Sequence, residues 1–235
     1  MEINNVRVYD LEESIVASGY PMDTEPPVGV EFDNKCRIVK CVLNDNTELL
    51  TEQEIEEGKE HIARFIRLAN KPSGSGHDCS LKGVEVHYNL TAPEYFWRQF
   101  DRYHFHDYTS SESKTHSIHK FEIDKKCNKF VSQNAVNELQ YHIDEYNNFK
   151  KGLKPYIKLR DGSTIPYTKR NLFHRMISNC LCGFQLTARI KDNYLQLKSK
   201  YNQRKNHPSY SWETYCKWME TLPLGKEIIT KKIRE

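Results

Sequence analysis

HDCSLKGVEVHYNLTAPEYFWRQFDRYHFHDYTSSESKTH, residues 77–116, is the stretch from which the fold is read. Gly74, Ser75 and Gly76 interrupt the pattern just before it. Val84, Val86, Tyr88 and Leu90 then alternate with Glu85, His87 and Asn89. That period of two predicts a half-buried strand over residues 84–90, because successive strand side chains face opposite sides. Thr91, with Glu94 three residues later and Pro93 between them, has the form of a capping box, so a helix is predicted to open there. Phe96, Trp97, Phe100 and Tyr103 recur at helical spacing, while Gln99 and Arg102 stand three apart on another face. Beyond them His104, His106, Asp107, Ser111, Ser113, Lys114 and His116 supply more hydrogen-bonding groups than a core could leave unpaired. A polar ligand is the natural partner of this segment.

Working outward, residues 6–10 read as an opening strand and residues 36–43 as another, with Pro21, Pro26, Pro27 and Gly29 making a loop between them. Thr51 and Glu54 form a second capping-box pattern, opening a helix that Asn70, Pro72 and Gly74 stop. Residues 117–123 are read as a strand, 132–150 as a polar helix, Asp161-Gly162 as a turn between short extended pieces, and 168–179 as a helix. Phe184, Leu186 and Ala188 alternate in a strand over 183–189. A helix over 193–205 follows, with Tyr194, Leu197 and Tyr201 on one side and a basic run of Lys198, Lys200, Arg204 and Lys205 read, apart from Lys198, as a solvated face. A last helix covers 212–222. No repeat or low-complexity tract interrupts this order, and the interleaving of strands and helices favours a mixed α and β fold in one domain over 1–235.

Composition narrows the partners. The 35 Lys and Arg stand against 32 Asp and Glu, a net charge of +3 that does not call for nucleic acid. Basic residues at Lys169-Arg170 and 198–205 keep nucleic-acid binding as the last-ranked reading, one that predicts steep salt dependence. No run approaches the roughly 20 apolar residues of a membrane span. The opening MEINNVRVYDLEES lacks the basic flank and apolar stretch of a signal peptide, which predicts cytoplasmic residence. Seven scattered cysteines are expected to be free thiols in that setting. His104, His106, His116 and His119 lack metal-ligand spacing, so no metal is expected.

The segment resembles the central motif region of flavin-dependent thymidylate synthases, in which a His near a Gly-rich turn, a strand, an Ala-Pro helix start and an Arg-Gln run lead into Arg-His-Arg-x7-Ser. His77, Ala92-Pro93, Arg98-Gln99 and Arg102-Tyr103-His104 fall at corresponding positions without a gap. A second stretch, LTARIKDNYLQLKSKYNQR at residues 186–204, resembles the family's Asn-Ala-Arg segment through Thr187-Ala188-Arg189, Asn193 and Lys198. The resemblance implies an α+β domain with a mixed sheet and long flanking helices, assembled as a homotetramer. It also implies reductive methylation of dUMP to dTMP with FAD, NADPH and methylenetetrahydrofolate. By position, Arg102, Ser111, Ser113 and Lys198 would be catalytic, and Gln99, Arg102, Lys114 and Lys198 would hold the pyrimidine nucleotide. His77, Tyr103, His104, Thr187, Arg189 and Asn193 would line the flavin.

The chain departs from the family pattern at defined places. Arg-His-Arg becomes Arg102-Tyr103-His104, which exchanges a permanent cation for an imidazole only partly charged near neutral pH. The motif Ser falls on Glu112, flanked by Ser111 and Ser113, and the second motif carries Thr187 for Asn and Lys198 as its basic residue. Such a pattern suits a divergent, phage-type branch. It also sustains an alternative, in which a catalytically altered relative binds a nucleotide to sense or sequester it.

Overall fold

Caps and turns divide the polypeptide into helices and short strands, seen in a computed structural model that describes residues 1–72, 74–103 and 105–230. Strand β1 (Glu2–Tyr9) is followed by α1 (Leu11–Ala17), α2 (Val30–Leu43) and α3 (Glu52–Ala69). Next come β2 (Glu85–Pro93), α4 (Glu94–Phe100), β3 (Asp107–Ser111) and the single turns α5 (Lys114–Ser117) and α6 (Ile123–Lys126). Helix α7 (Gln133–Asn147), the pair β4 (Tyr156–Lys158) and β5 (Thr164–Pro166), and α8 (Lys169–Ser178) lead to β6 (Gln185–Asn193). Three helices close the chain, α9 (Tyr194–Arg204), α10 (Tyr210–Met219) and α11 (Gly225–Ile228). One sheet has the order β1-β2-β6-β3 and a second pairs β4 with β5. The architecture is α+β, as expected.

The residues cluster into two compact units, each assembled from three segments of sequence. The larger comprises Ile3–Tyr88, His104–Asp107 and Ile190–Glu235. Its α3 begins at the predicted capping box: the Thr51 hydroxyl accepts from the Glu54 amide at 3.2 Å, and the Glu54 carboxylate accepts from the Thr51 amide at 2.8 Å. Phe65 and Ala69 of α3, Ile15 of α1 and Val39 of α2 are fully buried. A side chain at Gly58 would place its Cβ 2.7 Å from Val42 Cγ2, so glycine sets how closely α2 approaches α3. The same unit buries a polar network. Asp192 is 2% exposed; it accepts from Lys200 Nζ at 2.7 and 2.8 Å and from the Tyr88 hydroxyl at 2.7 Å. The Tyr88 and Tyr215 hydroxyls lie 2.5 Å apart. Burial pushes both tyrosines far above the ordinary phenol range and pulls Lys200 down against the opposing pull of Asp192.

The second unit comprises Met1–Glu2, Asn89–Tyr103 and Tyr108–Arg189. Ile118, Ile123, Val136, Leu139, Ile143, Met176 and Phe184 form its main core, and Ile157, Tyr167 and Leu172 a smaller one under the β4–β5 pair. That pair is antiparallel, with Ile157 opposite Ile165, and its turn is the predicted Asp161-Gly162. Helices α7 and α8 open on Ser132 and Thr168, whose hydroxyls accept from Ala135 and Asn171 amides at 3.4 and 3.2 Å.

Four expectations are corrected. Residues 36–43 are helix, part of α2, whose Ile38 and Val42, one turn apart, both pack at Gly58 on α3. Residues 117–123 are a 3-10 turn and the start of α6, with Ile118 and Ile123 buried five positions apart. Thr91 does not cap a helix: β2 continues to Pro93, and the Thr91 hydroxyl meets the Thr187 hydroxyl at 2.8 Å instead. Lys200, read as part of a solvated face, is 1% exposed. All seven cysteines are free, and burial raises the Cys36, Cys180 and Cys216 thiols to about 11. Among the described residues no helix is long and apolar enough to cross a membrane.

Candidate functional site

Gly74 and Gly76 have φ of 85° and 79°, the left-handed region in which a side chain costs roughly 1–2 kcal/mol. They turn the chain into a short 3-10 helix, Cys79–Lys82, and so hold His77 at the surface. Two cavities in the larger unit share this turn, since Gly76 and Cys79 line both. One, of about 620 Å³, is lined by Arg64, Arg67, His77 and Ser80 together with the small residues Ser14 and Gly83. The other, of about 540 Å³, is lined by Asp78, Lys82, Lys198, Asn202 and Gln203.

In the first cavity the Arg64 guanidinium lies 2.6 Å from His61 Nδ1. Arginine only donates, so that nitrogen is an acceptor and His61 is neutral. Burial, reinforced by the Arg64 charge, lowers the imidazole pKa accordingly. The Ser80 hydroxyl is buried there with no hydrogen-bond partner among the described residues. In the second cavity Lys198 is 3% exposed and its amine donates to the Ala69 carbonyl. Burial lowers its pKa and the Asp78 charge opposes that shift. Asp78 is 5% exposed, and its Oδ2 has no hydrogen-bond partner among the described residues. Asn193 caps α9: its side chain accepts from the Gln196 amide at 3.0 Å and Gln196 answers at 2.8 Å. Phe105, with φ of 77° and 87% exposed, occupies backbone space that bulky residues avoid.

The second unit holds a cavity of about 360 Å³ that brings Ser111 and Thr187 together with Trp97, Asp101, Tyr108 and Glu112. Glu112 organises it. Its amide donates to the Thr187 carbonyl at 2.9 Å, its carboxylate accepts from the Thr187 amide at 2.8 Å, and Lys126 pairs with both carboxylate oxygens at 2.7 and 2.8 Å. Lys114 is paired with Glu94 at 2.9 Å, and the Ser113 hydroxyl accepts from the His116 amide at 3.3 Å, capping α5. Arg189 donates to Asn89 at 3.3 Å. Gln99 and Tyr103 are half-buried and Arg102 is exposed, whereas His104 lies outside the described residues. No group of three His, Cys, Asp or Glu side chains among the described residues could hold a metal ion.

Neither protein-family models nor curated proteins give a match to this sequence. Solved structures do. The flavin-dependent thymidylate synthase ThyX from Helicobacter pylori, complexed with FAD and dUMP, superposes with a TM-score of 0.57 over 98% of this chain and 98% of its own, at 11% identity. The chain has the flavin-dependent thymidylate synthase fold. A second structure of ThyX from Helicobacter pylori with FAD and dUMP covers 82% of this chain and 93% of its own, with a TM-score of 0.53 and 8% identity. At such identities the likeness concerns the thymidylate synthase fold and not the residues placed on it.

On this fold, several residues that organise the cavities escape a reading of the sequence. Glu112 is read there only as the residue standing where a motif Ser falls, and its clamp on Thr187 depends on residues 75 positions apart. Arg64 lies in an ordinary amphipathic helix, and only the packing of α3 against α1 brings it to the 620 Å³ cavity. Asp78, next to His77, has a sequence signal in its adjacency alone.

Proposed function

We propose that this protein binds FAD and a pyrimidine nucleotide and methylates dUMP reductively to dTMP, with NADPH and methylenetetrahydrofolate as co-substrates. The observation that carries this reading is the pair of cavities sharing the wall at residues 76–79, one presenting His77 and the other Lys198. They sit on a fold whose Helicobacter pylori representatives are complexed with FAD and dUMP.

The 620 Å³ cavity suits a flavin by its own chemistry. Ser80 supplies a buried hydroxyl without a partner among the described residues, Arg64 and Arg67 supply charge for a pyrophosphate, and Ser14 and Gly83 leave room. When bound, the flavin supplies the redox chemistry that carries the methylene and hydride to the pyrimidine. The protein's part is orientation and electrostatics. Lys198, fixed against Ala69, with burial lowering its pKa and the Asp78 charge opposing that shift, is placed to polarise a uracil carbonyl. Arg102, exposed on the turn after α4, can meet a phosphate, with Gln99, Lys114 and Ser111 or Ser113 as hydrogen-bonding partners on the substrate side. Tyr103, His104, Thr187, Arg189 and Asn193 take the flavin side by their position in the motifs. A homotetramer accompanies this reading and is measurable by light scattering.

A specific observation favours a second reading, nucleotide binding without methylation. Glu112, in place of a motif Ser, is committed to Lys126 and Thr187 and offers no hydroxyl. Titration of the purified protein with FAD, followed by absorbance, and an assay for dTMP separate the two. A flavin difference spectrum with dTMP formation supports the enzyme. Binding of dUMP with no flavin spectrum supports the binding protein. Absence of both dUMP and FAD binding overturns each.

A further inference from the structure

A third large cavity lies within the second unit, and none of its lining residues belongs to the cavities at residues 74–83. It has a volume of about 630 Å³, within the range of small-molecule sites, and is framed by α7, α8 and the β4–β5 pair. Lys158, Arg160 and Arg175 line it against one carboxylate, Glu138. Arg175 also donates to Glu145 at 3.2 Å, but Glu145 has a second cation in Lys154 at 2.8 Å, so the surroundings keep an excess of positive charge. Lys158 and Arg160 make no ion pair among the described residues, and both are exposed on the hairpin.

A buried group points the same way. His142 on α7 lines the cavity at 6% exposure, and its Nδ1 has no hydrogen-bond partner among the described residues. Buried polar atoms are ordinarily paired, and an unpaired one is costly. Burial and the neighbouring Arg175 charge lower the His142 pKa, leaving a neutral ring with one N–H to donate. Asn171 and Asn179 use their side-chain nitrogens on the Pro166 and Arg175 carbonyls, each at 2.8 Å, which leaves their oxygens as acceptors. Ile157 and Ile165 add an apolar wall.

We infer that this cleft binds a phosphate monoester that carries hydroxyl groups, a sugar phosphate or a nucleotide. Arg160 and Lys158 meet the phosphate, with the fork of Arg160 suited to two phosphate oxygens. Glu138 and the asparagine oxygens accept from hydroxyls, and His142 gains the partner it lacks. The site rests on this unit's own residues and does not depend on flavin or dUMP binding elsewhere in the chain.

Calorimetric titration of the full chain with ribose 5-phosphate, with ribose and with inorganic phosphate tests the inference. The expected result is saturable 1:1 binding of ribose 5-phosphate, weaker binding of inorganic phosphate and none of ribose. Binding should weaken roughly tenfold or more in a Lys158→Ala, Arg160→Ala double variant. Both residues are exposed, so unchanged circular dichroism is expected in that variant. A ring-nitrogen NMR shift of His142 on adding ribose 5-phosphate gives a second readout. The inference is overturned if ribose 5-phosphate does not bind, if the double variant binds it equally well, if inorganic phosphate binds as tightly, or if only a single-stranded oligonucleotide binds.

Discussion

The two stretches that resemble thymidylate synthase motifs treat their polar groups in opposite ways. From 186 to 204, Asn193 caps α9, Lys198 donates to Ala69, and Lys200 and Asp192 form a buried pair with Tyr88 and Tyr215. From 101 to 117, every residue of β3 is exposed and so is Arg102, while Glu112 reaches Thr187 and Lys114 reaches Glu94 from partly exposed positions. A polar group in a core ordinarily has a partner, so the 186–204 stretch is organised by folding itself. The 101–117 stretch presents its polar groups toward solvent, which is where a ligand can reach them. Similar motif residues therefore carry different weight: replacing one in 186–204 should act on stability, and replacing one in 101–117 should act on binding.

The largest test of that contrast is Lys200→Ala. It strands the Asp192 carboxylate at 2% exposure and is expected to lower unfolding free energy by about 3–5 kcal/mol in urea denaturation. A loss below about 1 kcal/mol would mean that the network does not hold the strand to α9. Asn193→Ala should cost about 1 kcal/mol through loss of the cap, read by the same method. An unchanged midpoint would free Asn193 for a purely ligand-binding role. Arg102→Ala sharpens the other side of the comparison. Its stability should stay within about 0.5 kcal/mol of the parent, as for other surface changes, while dUMP affinity drops roughly tenfold. A destabilised variant with unaltered dUMP affinity would reverse the assignment.

Legibility in the sequence followed how local the deciding interaction is. The alternation of Val84, Val86, Tyr88 and Leu90 is intrinsic to a strand buried on one face, and all four are fully buried. The Thr51 box closes within one turn and formed as read. Thr91 carries the same letters as a capping box, yet its hydroxyl is taken by Thr187, 96 residues away, and no local pattern shows that competitor. Residues 36–43 failed for a related reason. A short apolar run fits either period, and its packing against α3 at Gly58 is a long-range contact that the run itself does not show. Lys200 looked like one of three solvated cations until Asp192, placed on the buried parity of β6, required a counter-charge.

The sequence by itself determined the alternating strand of β2, the Gly-rich turn that presents His77, the capped helices α3, α7, α8 and α9, and the α+β class. Each depends on backbone preferences and side chains only a few residues apart. The tertiary structure alone decided that Glu112 clamps Thr187, that Lys198 is buried beside Asp78, and that His142 Nδ1 has no partner among the described residues in a basic cleft. Those outcomes depend on which distant groups share a low-dielectric space, where each polar atom must find a partner or remain a site for one.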